Sequence, residues 1–412
     1  MDDELKTVPV FLRTASYLPR VTVKDGRVLE EILAGSTLFD VGAELRGAAA
    51  EATYAATDPA ILRRLRDTSV PFLVDPQTLR FSGQAFKEIG AFTRLPYTPS
   101  EVVDAHNASG LDAPVLAGNV LRFEQAIGSA AYVSAAFPLH DRHAKTWAEL
   151  NRRLLTASCD ANGSGDIEQR PLLAQIAPGP AALFEPEAVI EPMLDLPVAG
   201  AYVEPLVLNS ARDSVEKLFR YLRFLEVFEE AGLPVVASRV GAFGPVLSAL
   251  GITAFTSGLG EAEASNLAAL NRKRTQKEQP SDGPRGSRRI YLGPLKTTMA
   301  RRQAELILSR DGLRGKFSCS LGCCRFAELS DLAGRSRHHY LWSRNDEVRA
   351  IREQPTRSAK LDLVHEELRN ARELSRLVRR TLFKQQTELP SFDHVDRWLR
   401  ALAREDEARA AA

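Results

Sequence analysis

Val70-Pro71-Phe72-Leu73-Val74-Asp75-Pro76 is the stretch on which the fold turns. It is a short apolar run, bounded by prolines and ending on a carboxylate. It is too short for a stable helix and lacks polar alternation, which is the pattern of a strand buried on both faces of a parallel sheet. Seven further runs of this kind lie at Thr7–Leu12, Thr37–Gly42, Ala130–Phe137, Pro171–Ala177, Gly200–Asn209, Leu233–Arg239 and Ile252–Gly258. Helix-like segments separate most of them: Pro59–Arg66, Val115–Ala126, Trp147–Leu155, Ser214–Glu230 and Phe243–Leu250. In Ser214–Glu230 the residues Val215, Leu218, Phe219, Leu222, Leu225 and Val227 fall toward one side. Eight strands alternating with helices predict an α/β fold, a (β/α)8 TIM-type barrel. A doubly wound open sheet is the alternative, weakened because no GxGxxG or P-loop pattern follows any strand.

The predicted organisation is a barrel over residues 1–264, a flexible basic loop over 265–289, and a C-terminal region over 290–412. The loop holds Lys273, Arg274, Lys277, Pro280, Gly283, Pro284 and Gly286, a mixture of charge and chain breakers. Beyond it the sequence predicts a strand at Ile290–Leu292 and helices over Thr298–Ser309, from Leu361 onward, and over Asp393–Ala408.

The 412 residues are 44% hydrophobic and 26% charged, ordinary globular values. The N-terminus is acidic, without the basic start and apolar run of a signal peptide. No stretch has the roughly 18 consecutive apolar residues of a membrane helix. Four cysteines, three of them bunched, do not form a disulfide framework. Together these features predict a soluble cytoplasmic protein. The net charge of +1 hides an asymmetry. Residues 1–270 carry 23 Lys and Arg against 34 Asp and Glu, while the rest carry 31 against 19. A basic C-terminal third on an acidic body points to a polyanion partner, or to Arg-rich helices laced with internal ion pairs.

In such barrels chemistry sits where strands end. The strand ends supply Asp40, Asp75, His140, Asp141, Gln175, Glu204, Asn209 and Arg239, and past the last strand Glu261 and Glu263. Asp75 stands out because the apolar run carries it directly out of a buried strand. There its pKa is raised by desolvation, or lowered by a cation such as Arg239. His140-Asp141 is a candidate acid/base pair.

Cys319-Ser320-Leu321-Gly322-Cys323-Cys324 concentrates three soft ligands in six residues, and His338, His339 and His365 follow. Zinc takes four S and N ligands in a tetrahedron, so a structural Cys3His site is the expected use. Spacing alone leaves the histidine open.

The pattern resembles the tRNA-guanine transglycosylase superfamily, including relatives that insert deazaguanine bases into DNA. Thr7-Val8-Pro9-Val10-Phe11 is similar to that family's first strand, and Val70–Asp75 to its third, whose Asp is the general acid/base. Leu173-Ala174-Gln175-Ile176-Ala177 is similar to the fifth, whose Gln reads the base, and Ala201-Tyr202-Val203-Glu204 stands where the sixth would. The resemblance implies Asp75 as acid/base, with Gln175 and Glu204 toward the base; Arg239, from the strand ends, is a further substrate-binding candidate. The family's nucleophilic Asp follows a Phe in the eighth strand. Here Phe255 is followed by Thr256-Ser257, and Glu261 is the nucleophile candidate, with Glu263 beside it. The family's zinc element is Cys-x-Cys-x2-Cys with a later helical His. Cys319 and Cys324 keep the outer spacing, Leu321 replaces the middle Cys, and Cys323 is the substitute. Leu363-Val364-His365-Glu366-Glu367-Leu368 resembles the histidine helix and favours His365, while His338-His339-Tyr340-Leu341 resembles a segment that holds no metal.

The expected function is therefore exchange of a guanine-type base in tRNA or DNA for a 7-deazaguanine base. Zn2+ is the structural metal, and nucleic acid and a free purine or 7-deazapurine base are the partners. No membrane partner is expected, and a homodimer or partner subunit fits the same reading. One alternative is a non-catalytic nucleic-acid-binding or partner subunit on this fold. The other is an unrelated barrel enzyme acting on a small anionic metabolite anchored by Arg239.

Overall fold

The computed structural model of the chain describes residues 9–22, 25–34, 45–260, 264–267, 289–310, 312–317 and 334–411. Eight parallel strands form the centre: β1 Ser16–Val21, β2 Ala48–Glu51, β3 Phe72–Asp75, β4 Tyr132–Val133, β5 Leu172–Ile176, β6 Gly200–Val203, β7 Val235–Ala237 and β8 Ala254–Ser257. Around the sheet the neighbours run from β3 through β2 and β1 to β8, then β7, β6, β5 and β4, which is chain order taken in a circle. A parallel bridge between Leu73 and Ala131 joins the two ends, with Ala130 N–H donating to Phe72 O at 2.8 Å. The sheet is thus nearly closed as a barrel and flanked by helices, a TIM-type architecture.

The period of two along each strand sorts the side chains. Leu18, Ala49, Leu73, Val133, Leu173, Tyr202, Val236 and Ala254, one from every strand, form an apolar layer inside the barrel. Phe11 and Leu12 plug its lower end. The alternate residues, among them Ala50, Phe72, Val74, Leu172, Val203, Val235 and Phe255, join the core under the helices. Two residues beyond the inner layer, toward the strand C-termini, stand Arg20, Glu51, Asp75, Gln175, Glu204, Ser238 and Thr256. The fold therefore lifts a polar layer directly above an apolar one.

The first two strands differ from the sequence expectation. Val10–Leu12 forms a 3-10 turn rather than a strand, and the residues of the expected second strand, 37–42, lie outside the described residues. The true first strand contains Pro19, which argues against a central strand, and the second is Ala48-Ala49-Ala50-Glu51, whose residues have poor β-propensity. The other six runs contain the observed strands. The ribbon Arg289–Leu292 with Thr297–Ala300 takes the start of the expected 298–309 helix, leaving helix over Arg301–Leu308. Among the described residues no helix is long and apolar enough to cross a membrane.

The C-terminal region carries the helices Ser336–Arg352, Arg357–Thr381 and Asp393–Ala411, which pack on the barrel rather than stand apart. Tyr340, Val364, Val395 and Trp398 share the core of the barrel helices. Much of the charge asymmetry is satisfied inside the chain. Arg357 meets Glu226 at 2.6 Å and Glu229 at 3.1 Å, Arg409 meets Glu226 at 3.2 Å, and Arg404 pairs with Glu216. All three carboxylate-bearing turns belong to the barrel helix Val215–Glu230.

Arg344, fully buried, is the deepest of these ties. Its guanidinium donates to Gly241 O at 3.0 Å, Glu347 at 2.7 Å and Tyr291 Oη at 3.1 Å, and lies over the Phe255 ring. Removing one partner of a buried charge pair costs about 3–5 kcal/mol, and here the loss falls at the lower end because Glu347 keeps Lys296 at 2.8 Å. Arg344→Met is accordingly expected to lower the urea unfolding free energy by about 3 kcal/mol or more. A loss under about 1 kcal/mol would show that Arg344 does not hold the appendage to the barrel.

Candidate active site at the barrel mouth

The polar layer is a cluster of charged and polar groups built from seven strand ends and one turn. β2 and β3 pair in register with Glu51 opposite Asp75. Arg239, just past β7, crosses the mouth: its Nη2 reaches Glu51 Oε1 at 2.7 Å and its Nε reaches Glu204 Oε1 at 2.9 Å. Its backbone is left-handed (φ 58°), and its N–H donates to Thr256 Oγ1 at 3.2 Å. A non-glycine residue held there stores strain that the surroundings must offset. Arg20 of β1 meets the same Glu51 oxygen at 2.5 Å. Arg80, on the 3-10 turn Thr78–Ser82 that follows β3, approaches Glu204 at 3.9 Å.

Asp75 is set apart from this lattice. It is 2% exposed. Its Oδ1 accepts from Gln77 N at 2.9 Å and from Gln175 Nε2 at 3.3 Å, and its Oδ2 is buried with no hydrogen-bond partner. Gln175 is oriented in turn by Thr78, whose hydroxyl donates to its Oε1 at 3.2 Å. Among the described residues Asp75 is the one mouth carboxylate without a cation in ion-pair contact. Burial and then the charge of Glu204 push its pKa up to about 6, against the pull of Arg239 and Arg80. Glu51 shows the opposite outcome. Burial raises its pKa, but Arg239, Arg20 and Arg80 overcome that and hold it at about 2. One carboxyl raised toward neutrality beside another held as an anion is a common acid/base arrangement.

The structure thus brings Asp75, Gln175, Glu204 and Arg239 together as expected. Of the two ways to perturb Asp75, desolvation prevails, because Arg239 is committed to Glu51 and Glu204. Other expectations part from the mouth. Asp141 accepts from Ala181 N at 2.9 Å, a loop tie, and no hydrogen bond joins it to His140. Asn209 N–H serves a turn with Asp213. Asp40, Glu261 and Glu263 lie outside the described residues, as do Cys319, Cys323 and Cys324. His365 is placed on the helix Arg357–Thr381, 3.4 Å from Asp406 Oδ2. His338 faces Glu31 at 3.3 Å, and His339, buried, faces Tyr291 O at 2.9 Å. Among the described residues no group of three or more His, Cys, Asp or Glu side chains is arranged to hold a metal ion.

Sequence reasoning missed Glu51, Arg20 and Arg80. Ala48-Ala49-Ala50-Glu51 carries the same signal as Phe72-Leu73-Val74-Asp75, an uncharged run ending on a carboxylate, in residues too small to announce a strand.

No family model matches the chain, and none of the curated proteins matches it. Among solved structures, a crystal structure provisionally described as a lyase/mutase from Burkholderia cenocepacia J2315 is 15% identical. The match covers 62% of this chain and 78% of that one, with a TM-score of 0.34. A likeness that distant adds nothing to the strand order read above and says nothing of activity.

Asp75 makes a direct prediction. Its folded pKa lies above that of an unfolded carboxyl, so the stability it contributes falls as pH rises from about 4 to 6 and stays low above that. Glu51, shifted down, contributes stability above about pH 4.5 that is lost as pH falls toward 2. Asp75→Asn is therefore expected to be more stable than wild type at pH 7, by on the order of 2 kcal/mol, with the gain vanishing below about pH 4. Equal urea midpoints at pH 7 would place the Asp75 pKa in the ordinary carboxylate range.

Proposed function

We propose that the chain is a base-exchanging transglycosylase acting on a guanine-type base in tRNA or DNA, with the barrel mouth as its active site. The observation that carries this reading is Asp75: a buried carboxyl with one unpartnered oxygen and a pKa raised to about 6, beside an amide and a guanidinium–carboxylate lattice. Breaking a glycosidic bond requires a proton for the departing purine, an attacking carboxylate at C1′, and fixed polar groups that hold the base. Asp75 gives its proton to the leaving base and takes one from the incoming base. Glu261, four residues past Ser257, is the attacking carboxylate in this proposal. Gln175 and Glu204 hydrogen-bond the base edge. Arg239 acts by fixing Glu204 and Glu51 rather than by binding an anion. The target base enters the mouth extruded from its stack. The inserted base in this reading is a 7-deazaguanine.

The proposal includes a structural zinc in the C-terminal region, held by Cys319, Cys323, Cys324 and His365. Asp406, near His365 Nε2, is placed to accept the ring N–H of a metal-bound imidazole, the usual outer partner of such a ligand. Zinc there supplies crosslinking and no reaction step. Metal analysis of the purified protein is expected to give one equivalent of zinc, falling steeply in Cys319→Ser. Less than about half an equivalent in wild type contradicts the site, since structural zinc binds tightly.

A second reading has its own support. The last barrel strand points Thr256 into the mouth, where its hydroxyl is engaged by Ser238 and by the Arg239 amide, and both Glu51 and Glu204 are neutralised by Arg239. A mouth so quenched suits a non-catalytic nucleic-acid-binding or partner subunit.

Incorporation of labelled guanine into tRNA and into DNA separates the two. The enzyme reading predicts incorporation by wild type, a loss of about 10²–10⁴-fold in Asp75→Ala, and a rate that declines above about pH 6 as the acid deprotonates. Full activity in Asp75→Ala contradicts it. The subunit reading predicts salt-sensitive binding with no incorporation by the chain alone.

A further inference from the structure

The loops that leave β3 and β4 meet beside the mouth at a second cluster. An open cavity of about 380 Å3 there carries His106, His140, Arg142 and His143 on its wall. Three of the chain's seven histidines are thus gathered with an arginine, in the part of the sequence where acidic residues outnumber basic ones. The short turn Thr78–Ser82 links the two places: Arg80 points into the mouth cluster and Ser82 ends on the wall of this cavity.

What distinguishes this cluster is the lack of acceptors for its donors. The arginines of the mouth are all in ion pairs with carboxylates. Among the described residues no carboxylate pairs with Arg142, His106, His140 or His143. Two acidic side chains are close by, Asp104 on the cavity wall itself and Asp141 next to Arg142 in sequence, and each has at least one carboxylate oxygen spent on backbone. Asp104 Oδ1 accepts from His106 N at 2.8 Å and Asn107 N at 3.1 Å, and Asp141 Oδ1 accepts from Ala181 N at 2.9 Å. The rings of His106 and His143 stand edge to face, 6.1 Å apart, so both imidazoles turn toward the same space. His140 packs against Trp147, and its Nε2 is buried with no hydrogen-bond partner. An unmet buried polar atom of this kind calls for an explanation.

The backbone adds to the same field. His143 is held left-handed (φ 62°) directly before the helix Ala144–Gly163, and no side chain caps that helix. The strained residue therefore presents its ring at the positive end of a twenty-residue helix. Several N–H donors from three directions outnumber the one wall carboxylate, Asp104, whose Oδ1 is engaged by backbone N–H groups, and they match a tetrahedral oxyanion better than a flat carboxylate.

We propose that this cavity is a phosphate-binding site, with Arg142, His106 and His143 as the donors to the phosphate oxygens and His140 closing its inner wall. Its place on the C-terminal face puts a bound phosphate beside whatever occupies the mouth. The phosphate belongs either to a polynucleotide backbone, which rests on the function proposed above, or to a free phosphate-bearing metabolite, which does not.

The test is a titration of the full-length protein with inorganic phosphate, followed through the imidazole C–H resonances. The expected result is a saturable shift of His106, His140 and His143 together, weakened at least tenfold in Arg142→Ala and again in His106→Ala/His143→Ala. Arg122→Ala, on the helix Ala113–Ile127 and bonded there to Asn119, does not line the cavity and is expected to titrate like wild type. Matched thermal melting of the variants separates lost binding from lost folding. No saturable shift, or unchanged half-saturation in the Arg142 and histidine variants, overturns the proposal. A 5′-phosphorylated trinucleotide that competes at least tenfold more tightly than inorganic phosphate identifies the backbone as source, and equal affinity identifies a free phosphate. Base exchange is scored on the same preparations. A wild type that binds phosphate but exchanges no base leaves this site standing and removes the transglycosylase reading alone.

Discussion

The bridge from Glu51 through Arg239 to Glu204 is the interaction on which the mouth depends. One guanidinium spans two barrel strands on opposite sides of Arg239's own, at 2.7 and 2.9 Å, from a backbone held left-handed. A buried arginine of this kind is seldom worth much to stability by itself, because desolvation offsets the Coulomb gain. Its value is in assigning charge. By pairing with Glu51 and Glu204 it leaves Asp75 as the carboxyl with no cation in ion-pair contact, and burial then raises the Asp75 pKa to about 6. Asp75 is proton-exchanging because of where Arg239 went.

The rest of the molecule supports that bridge from behind. Arg344 holds the carbonyl of Gly241, two residues past Arg239, and Tyr340 Oη meets Ser257 Oγ at 2.9 Å at the end of β8. Both come from one helix of the C-terminal region. The acidic helix Val215–Glu230 receives Arg357, Arg404 and Arg409 from the other two. A charge imbalance that looks in the sequence like a footprint for a polyanion is thus also an internal adhesive, and the two uses compete for the same arginines.

Much of the barrel was legible because parallel strands buried on both faces leave dense apolar runs. Phe72–Asp75, Leu172–Ile176 and Ala254–Ser257 were all found this way. β1 and β2 were missed for two reasons: Pro19 masks one strand and alanines the other, and closure of the barrel overrides both local preferences. The same gap hid half of the site. Asp75, Gln175, Glu204 and Arg239 come from strands that could be read. Arg20 and Glu51 come from the two that could not, and Arg80 sits in a turn with no periodic signal. The His106–His143 cluster was invisible as a group, since its members are loop residues far apart in sequence, joined only where two βα loops touch.

The central claim is that the barrel mouth raises the Asp75 pKa to about 6 through burial and the diversion of Arg239. Carbon-detected NMR of the Asp75 carboxyl, followed from pH 3 to 8 in the intact chain, tests it most directly. The account predicts a titration midpoint near 6 that drops in Glu204→Gln, as the repelling charge is removed. A midpoint at or below about 4 in wild type would contradict it, because that is the value of a carboxyl its surroundings have not perturbed.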